Sequence, residues 1–160
     1  MGGIARYEIR DKLYREYLTE LSQYDPSIMK DKDNWGEWIR DYFFSSCDWR
    51  DVYSKDGQII GFYIMGKPYV DCPINVGHFI EQVYIKKEYR NQGIMTELLE
   101  KYIKSHKGVY ALLIINGNET AKSFWFNLVE NVLHAEWTTD ERYGDFSSET
   151  VTQYTFDYKG

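Results

Sequence analysis

The chain has 160 residues, 25 acidic against 19 basic, for a net charge of −6, and 43% of it is hydrophobic. That length and apolar content suit one domain, 1–160, with a single sizeable core, and they exclude disorder. The negative balance sets nucleic acid and anionic membrane surfaces aside as partners and leaves cationic small molecules or amines.

Fifteen tyrosines suggest amphipathic walls around a cleft as well as core. Cys47 and Cys72 lack metal spacing, and His78, His106 and His134 stand far apart, so no metal site is expected. Free thiols point to a reducing cytoplasm. No apolar run of 18 residues and no signal peptide is present, so the reading is a soluble cytoplasmic protein with no membrane contact.

In chain order, Ile9, Leu13, Tyr17, Leu18 and Leu21 recur at helical spacing over Tyr7–Tyr24, and Asp25-Pro26 ends the run. A second helix starts near Asp33 or Asn34, with Glu37 as capping-box partner to Asn34. Its face carries Trp35, Trp38, Ile39, Tyr42 and Phe43. Arg50–Ser54 and Gln58–Met65 flank Lys55-Asp56-Gly57, a hairpin signal. Gly66–Gly77, with two prolines, reads as a loop. Phe79–Lys86 alternates as a strand.

A helix follows that strand, with Ile94, Leu98, Leu99, Tyr102 and Ile103 on one stripe, and Gly108 stops it. Val109–Ile115 is almost wholly apolar, as in a strand buried on both faces. Asn118–Asn131 is helical, and Leu133–Thr139 and Thr150–Tyr158 are strands joined by an acidic loop. The element order is therefore α-α-β-β-β-α-β-α-β-β, a mixed α/β chain.

Between the Phe79–Lys86 strand and its helix lies Arg90-Asn91-Gln92-Gly93-Ile94-Met95. A helix N-terminus presents unpaired N–H groups and partial positive charge, which suits a phosphate. Gly93 lets the backbone approach a ligand closely. Lys86, Lys87 and Arg90 place three cations just before it in an otherwise acidic chain.

Arg90-x-x-Gly93 after a strand, opening a helix, resembles the acetyl-coenzyme A loop of the GCN5-related N-acetyltransferases (GNAT). Met95 stands where that pattern has Gly or Ala. Asn118-x-x-Ala121-x-x-Phe124-Trp125 resembles the family's second motif, with Trp125 where Tyr is usual. The resemblance covers roughly residues 50 to 158.

It implies a single-domain GNAT-like α/β fold, its mixed and mostly antiparallel sheet flanked by helices and splayed at the cofactor site. It implies acetyl-coenzyme A as cofactor. The backbone of Val83 and Ile85 would pair with the pantetheine arm. The amides of Asn91, Gln92, Gly93, Ile94, Met95 and Thr96 would hold the pyrophosphate, with Arg90 and the Thr96 hydroxyl assisting. Asn118 would bond the pantetheine and Lys122 would reach the 3′-phosphate.

An ammonium, with a typical pKa of about 10.4, must lose its proton before attack. The resemblance implies Glu81 as the general base, since many family members carry a glutamate on this strand two residues before the pantetheine-pairing segment. Trp125 occupies the place of the family's general acid, though an indole N–H cannot act as one near neutrality. Tyr143, in the acidic loop Asp140–Asp145 that could hold a cationic acceptor, and Tyr154 are the alternative donors. The reading is an N-acetyltransferase acting by direct transfer on a small-molecule amine or polyamine, with a homodimer left open. Its alternatives are a non-catalytic acyl-coenzyme A sensor and a protein N-acetyltransferase.

Overall fold

The computed structural model describes residues 2–45, 47–66, 76–138 and 150–160. Among the described residues, five α-helices and six strands follow one another: α1 (Gly3–Leu21), α2 (Ser27–Lys30), α3 (Trp35–Phe44), β1 (Asp48–Tyr53), β2 (Ile59–Gly66), β3 (His78–Ile85), α4 (Ile94–Ser105), β4 (Gly108–Ile115), α5 (Glu119–Phe126), β5 (Glu136–Trp137) and β6 (Val151–Tyr158). The strands form one mixed sheet in the order β1-β2-β3-β4-β6-β5. The chain divides into two compact units, 1–64 with 82–90, and 65–81 with 91–160, the cuts falling within β2 and β3.

In the first unit, α1 turns Leu13, Tyr14 and Leu18 inward, and all three are buried. They meet Trp35 and Ile39 of α3, Ile59, Phe62 and Ile64 of β2, and Tyr84 of β3 in one core. The packing is largely ring on ring: Tyr14 stacks on Phe62 at 5.6 Å and Trp49 tilts against it at 4.8 Å. Such pairs add roughly 0.5–1.5 kcal/mol each beyond area burial. Two polar clusters against this core are matched. Arg10 forks onto Asp51 with two 2.8 Å bonds. Tyr17 donates to Gln82 Oε1, and Gln82 Nε2 donates to Tyr42 at 3.2 Å.

The turn after β1 follows the Lys55-Asp56-Gly57 signal. Gly57 takes φ +80°, and Ser54 N–H donates to the Gln58 carbonyl at 2.8 Å. At α3 the expected capping box does not form. Asn34 ends a single 3₁₀ turn, Lys32–Asn34, and its side chain makes no capping bond. The preceding turn already carries the chain into the helix.

The second unit is built on β4, which pairs antiparallel with β6 over eight residues, from Gly108↔Tyr158 to Ile115↔Val151. β3 lies parallel to β4 through His78, Phe79 and Ile80, opposite Tyr110, Ala111 and Leu112. Helix α4 buries Met95, Leu99 and Ile103, close to the expected stripe. Two expectations need correction. β4 is not buried throughout, because Leu113 is 41% exposed. The helix after Asn118 stops being α-helical at Phe126 and widens into a π-helical turn, Asn127–Val132, with Leu133 N–H bonded to the Leu128 carbonyl. The strand expected from Leu133 begins only at Glu136, and among the described residues β5 comprises Glu136 and Trp137.

Gly61 on β2 is a point of close backbone approach: a Cβ there would lie 2.3 Å from the Tyr84 carbonyl oxygen and 2.9 Å from Ile85 Cα. Overpacking typically costs about 1–3 kcal/mol, and here the obstacle is backbone. Gly61→Ala should therefore lose at least that much in urea unfolding, whereas Gly3→Ala, with nothing within 4 Å, should be near neutral.

Burial, then the Glu16 and Glu20 carboxylates, push the Tyr84 phenol up to about 12. A folded-state value above the ordinary one of about 10 contributes stability that is complete below pH 10 and lost as pH rises through 12. The urea midpoint should fall between pH 8 and pH 11, and by less in Tyr84→Phe. An equal fall in the variant would contradict this assignment.

Candidate cofactor and acceptor site

The residues singled out from sequence fall on both units. Val83, Ile85 and Arg90 belong to the first. Glu81, Asn91 to Thr96, Asn118, Lys122 and Trp125 belong to the second. Tyr143 and the Asp140–Asp145 loop lie outside the described residues.

On the first unit the end of β3 has one satisfied side. The Tyr84 carbonyl faces Gly61, and Lys86 N–H donates to the Ile60 carbonyl at 2.9 Å. Residues 84 and 86 thus turn their peptide groups toward β2. By the alternation of an extended strand, Val83 and Ile85 turn theirs away from it. The Ile85 carbonyl accepts the Arg90 Nε–H at 2.9 Å, and Arg90 Nη1 and Nη2 fork onto Glu20 at 2.6 and 2.7 Å. The guanidinium also lies over the Tyr84 ring, 5.5 Å from its centroid. The bonds to Glu20 raise the Arg90 pKa above its ordinary value. Three of the five guanidinium N–H donors are therefore used inside the protein.

On the second unit, Asn91 and Gly93 both take left-handed backbone, φ +62° and +77°. Gly93 is the N-cap of α4, and no side chain caps that end. The first intrahelical bond is Glu97 N–H to the Gly93 carbonyl at 3.0 Å, so the amides of Ile94, Met95 and Thr96 have no acceptor within the helix. Nothing lies within 4 Å of a Cβ placed on Gly93. Met95 is only 5% exposed. Its bulk goes into the core and not over the helix end, so the departure from Gly or Ala does not fill the space where a phosphate would sit.

Asn118 caps α5, its Oδ1 accepting the Ala121 N–H at 3.1 Å. The acceptor half of the amide is engaged there, and the Nδ2 donors make no bond among the described residues. The Lys122 ammonium lies over the Phe126 ring at 5.5 Å. Trp125 is buried, 7% exposed, with its ring edge-on to Phe124 at 5.2 Å. Glu81, half-buried on β3, lies against Gly66: a Cβ there would meet Glu81 Oε1 at 2.5 Å. Among the described residues no group of three or more His, Cys, Asp or Glu side chains could hold a metal. No described helix is long and apolar enough to cross a membrane.

Sequence reasoning missed Glu20 and Gly66. Glu20 stands 70 positions from Arg90, and an acidic residue late in a helix carries no local sign of its partner. Gly66 reads as the start of a loop, although it is the last residue of β2.

A mixed α/β sheet carrying an uncapped, glycine-led helix end after its central parallel strand defines a fold of the acyltransferase class. A family model described as the acetyltransferase (GNAT) family matches residues 7–126. The chain belongs to this family, whose members use acetyl-coenzyme A, and it is an acetyltransferase. Solved structures share the fold. A GNAT acetyltransferase from Staphylococcus aureus Mu50 is 15% identical with TM-score 0.59, over 93% of each chain. Tetrahymena GCN5 is 12% identical with TM-score 0.55, over 94% of this chain and 87% of that one. Diaminobutyrate acetyltransferase EctA from Paenibacillus lautus, in complex with L-2,4-diaminobutyric acid and coenzyme A, is 19% identical with TM-score 0.51. That match covers 73% of this chain and 72% of that one. No curated protein sequence matches the chain.

Gly93→Val would place branched carbons over the helix end and strain a φ of +77° that L-residues rarely adopt. Coenzyme A binding measured by calorimetry should weaken at least tenfold, about 1.4 kcal/mol, with the circular dichroism spectrum retained. Unchanged affinity would remove the helix end from the binding surface.

Proposed function

We propose that the protein transfers an acetyl group from acetyl-coenzyme A to a primary amine of a small molecule or polyamine, by direct attack without a covalent enzyme intermediate. The observation that carries the reading is the uncapped α4 N-terminus with open space over Gly93, which suits an anionic pyrophosphate. The residues present fit the cofactor. The amides from Asn91 to Thr96 take the pyrophosphate, and the outward peptide groups of Val83 and Ile85 take the pantetheine arm as an added strand. Asn118 donates from Nδ2, and Lys122 reaches toward the 3′-phosphate.

Acetyl-coenzyme A supplies the thioester-activated acyl group. The protein's own chemistry is the proton. Glu81 accepts it from the acceptor ammonium, freeing the nitrogen lone pair for the carbonyl. Trp125 offers only an N–H hydrogen bond in the family's tyrosine position, so the departing thiolate is stabilised and not protonated there. A thiolate, with a reference thiol pKa of about 8.5, tolerates that. The net charge of −6 favours a cationic acceptor. A diamino acid, the substrate named for the Paenibacillus lautus relative, is an acceptor of this kind.

The test is free-thiol release from acetyl-coenzyme A with a panel of diamines, polyamines, amino acids and peptides. Small amines should turn over, whereas preference for a peptide terminus would overturn the acceptor class. Glu81→Gln should lower kcat by about 10²–10⁴-fold, the usual contribution of a positioned base, with coenzyme A affinity unchanged. Gly66→Ala should lower kcat in the same direction by displacing the carboxylate. Full activity of Glu81→Gln at neutral pH would reassign the base.

A further inference from the structure

The first arginine of the Arg-x-x-Gly motif, read from sequence as an aid to phosphate binding, faces its own protein. Its guanidinium forks onto Glu20 of α1 with two short bonds, 2.6 and 2.7 Å, and its Nε–H holds the Ile85 carbonyl at 2.9 Å. Parallel fork-to-carboxylate bonds are the strongest arrangement open to this side chain, and they fix its plane as well as its charge. Tyr84 closes the arrangement from below, its ring 5.5 Å from the guanidinium carbon and its hydroxyl directed to Glu16 at 3.5 Å. Both partners are partly buried, with side-chain exposures of 26% and 37%, so the Arg90 charge is largely balanced by Glu20.

From this geometry we infer that Glu20 and Arg90 act together as positioning residues for cofactor binding, and that Arg90 is not itself a phosphate ligand. The inference rests on the proposed cofactor reading of β3 and the α4 helix end. Glu20 sets the guanidinium plane, and the guanidinium sets the direction of the Ile85 carbonyl. Ile85 lies on the side of β3 turned away from β2, which that reading gives to the pantetheine arm. The pair tunes the strand edge, a neutral hydrogen-bonding surface, and leaves the anion to the backbone amides.

The experiment compares two ligands that share the pantetheine arm and differ in phosphates. Coenzyme A affinity is measured by calorimetry, and kcat/KM is measured with acetyl-pantetheine as donor. The proteins are wild type, Glu20→Gln, Arg90→Gln, Arg90→Lys and the Glu20→Gln/Arg90→Gln double variant. Each single variant should weaken both ligands by a similar factor, on the order of tenfold, with acceptor KM unchanged. The double variant should be no worse than the worse single, as for residues that act as a unit. Arg90→Lys should not rescue, because a lysine keeps the charge but loses the fork.

A loss confined to coenzyme A, rescued by lysine, would make Arg90 a phosphate ligand and overturn the inference. So would tighter coenzyme A binding in Glu20→Gln, which would mean that Glu20 competes for the guanidinium. Wild-type binding with unaffected variants would sink the positioning role alone. Failure of wild type to bind coenzyme A would instead sink the cofactor reading. Should Arg90→Gln fail to fold, Glu20→Gln and Arg90→Lys carry the same comparison.

Discussion

An extended strand cannot present all its peptide groups to one neighbour, and β3 is where this constraint shapes the protein. Tyr84 and Lys86 give theirs to β2, where Gly61 lets the backbones come close enough for the Tyr84 carbonyl to fit. Val83 and Ile85 are thereby committed to the opposite side. Among the described residues, the ladder to β4 runs through the pairs from His78 to Ile80. In the proposed reading, a strand with a satisfied side and an offered side is the platform for the pantetheine arm. The first unit's aromatic core serves to hold that platform still. Tyr14, Tyr17, Trp49 and Phe62 pack beneath it, and Gln82 is clasped between Tyr17 and Tyr42.

What could be read from sequence was what local chemistry decides. The turn at Gly57 and the amphipathic stripe of α4 depend on residues a few positions apart. The cap at Asn118 is equally local but is not among the sequence expectations, which give that side chain to the pantetheine; its Oδ1 accepts the Ala121 N–H. The harder features depend on distant partners or on competition between local options. Arg90 could be assigned a charge but not a direction, because Glu20 lies a whole helix-and-hairpin away. Asn34 and Glu37 have the spacing of a capping box, yet a 3₁₀ turn entering α3 removes the need for one. Met95 looked like an obstruction at a helix end. Its placement at the second helical position turns it under, into the core with Leu99 and Ile103.

The second unit shows how few groups the proposed chemistry asks of the side chains. In the proposed reading, phosphate binding falls to backbone amides, which no substitution short of proline removes. What that reading asks of individual residues is space, at Gly93 and Gly66, and an aimed amide, at Asn118.

The π-helical turn at Asn127–Val132 has a consequence for how this chain is compared with others. A turn closed by bonds between residues five apart holds one residue more than the α-helical turn it replaces. One extra residue rotates everything after it by about 100° around the helix axis. A residue-by-residue alignment with a relative whose helix stays regular therefore needs a one-residue gap here. The family match ends at Phe126, the last residue before that change of register. Beyond it, equivalence with relatives is better judged from the strand pairing of β6 than from counting along the chain.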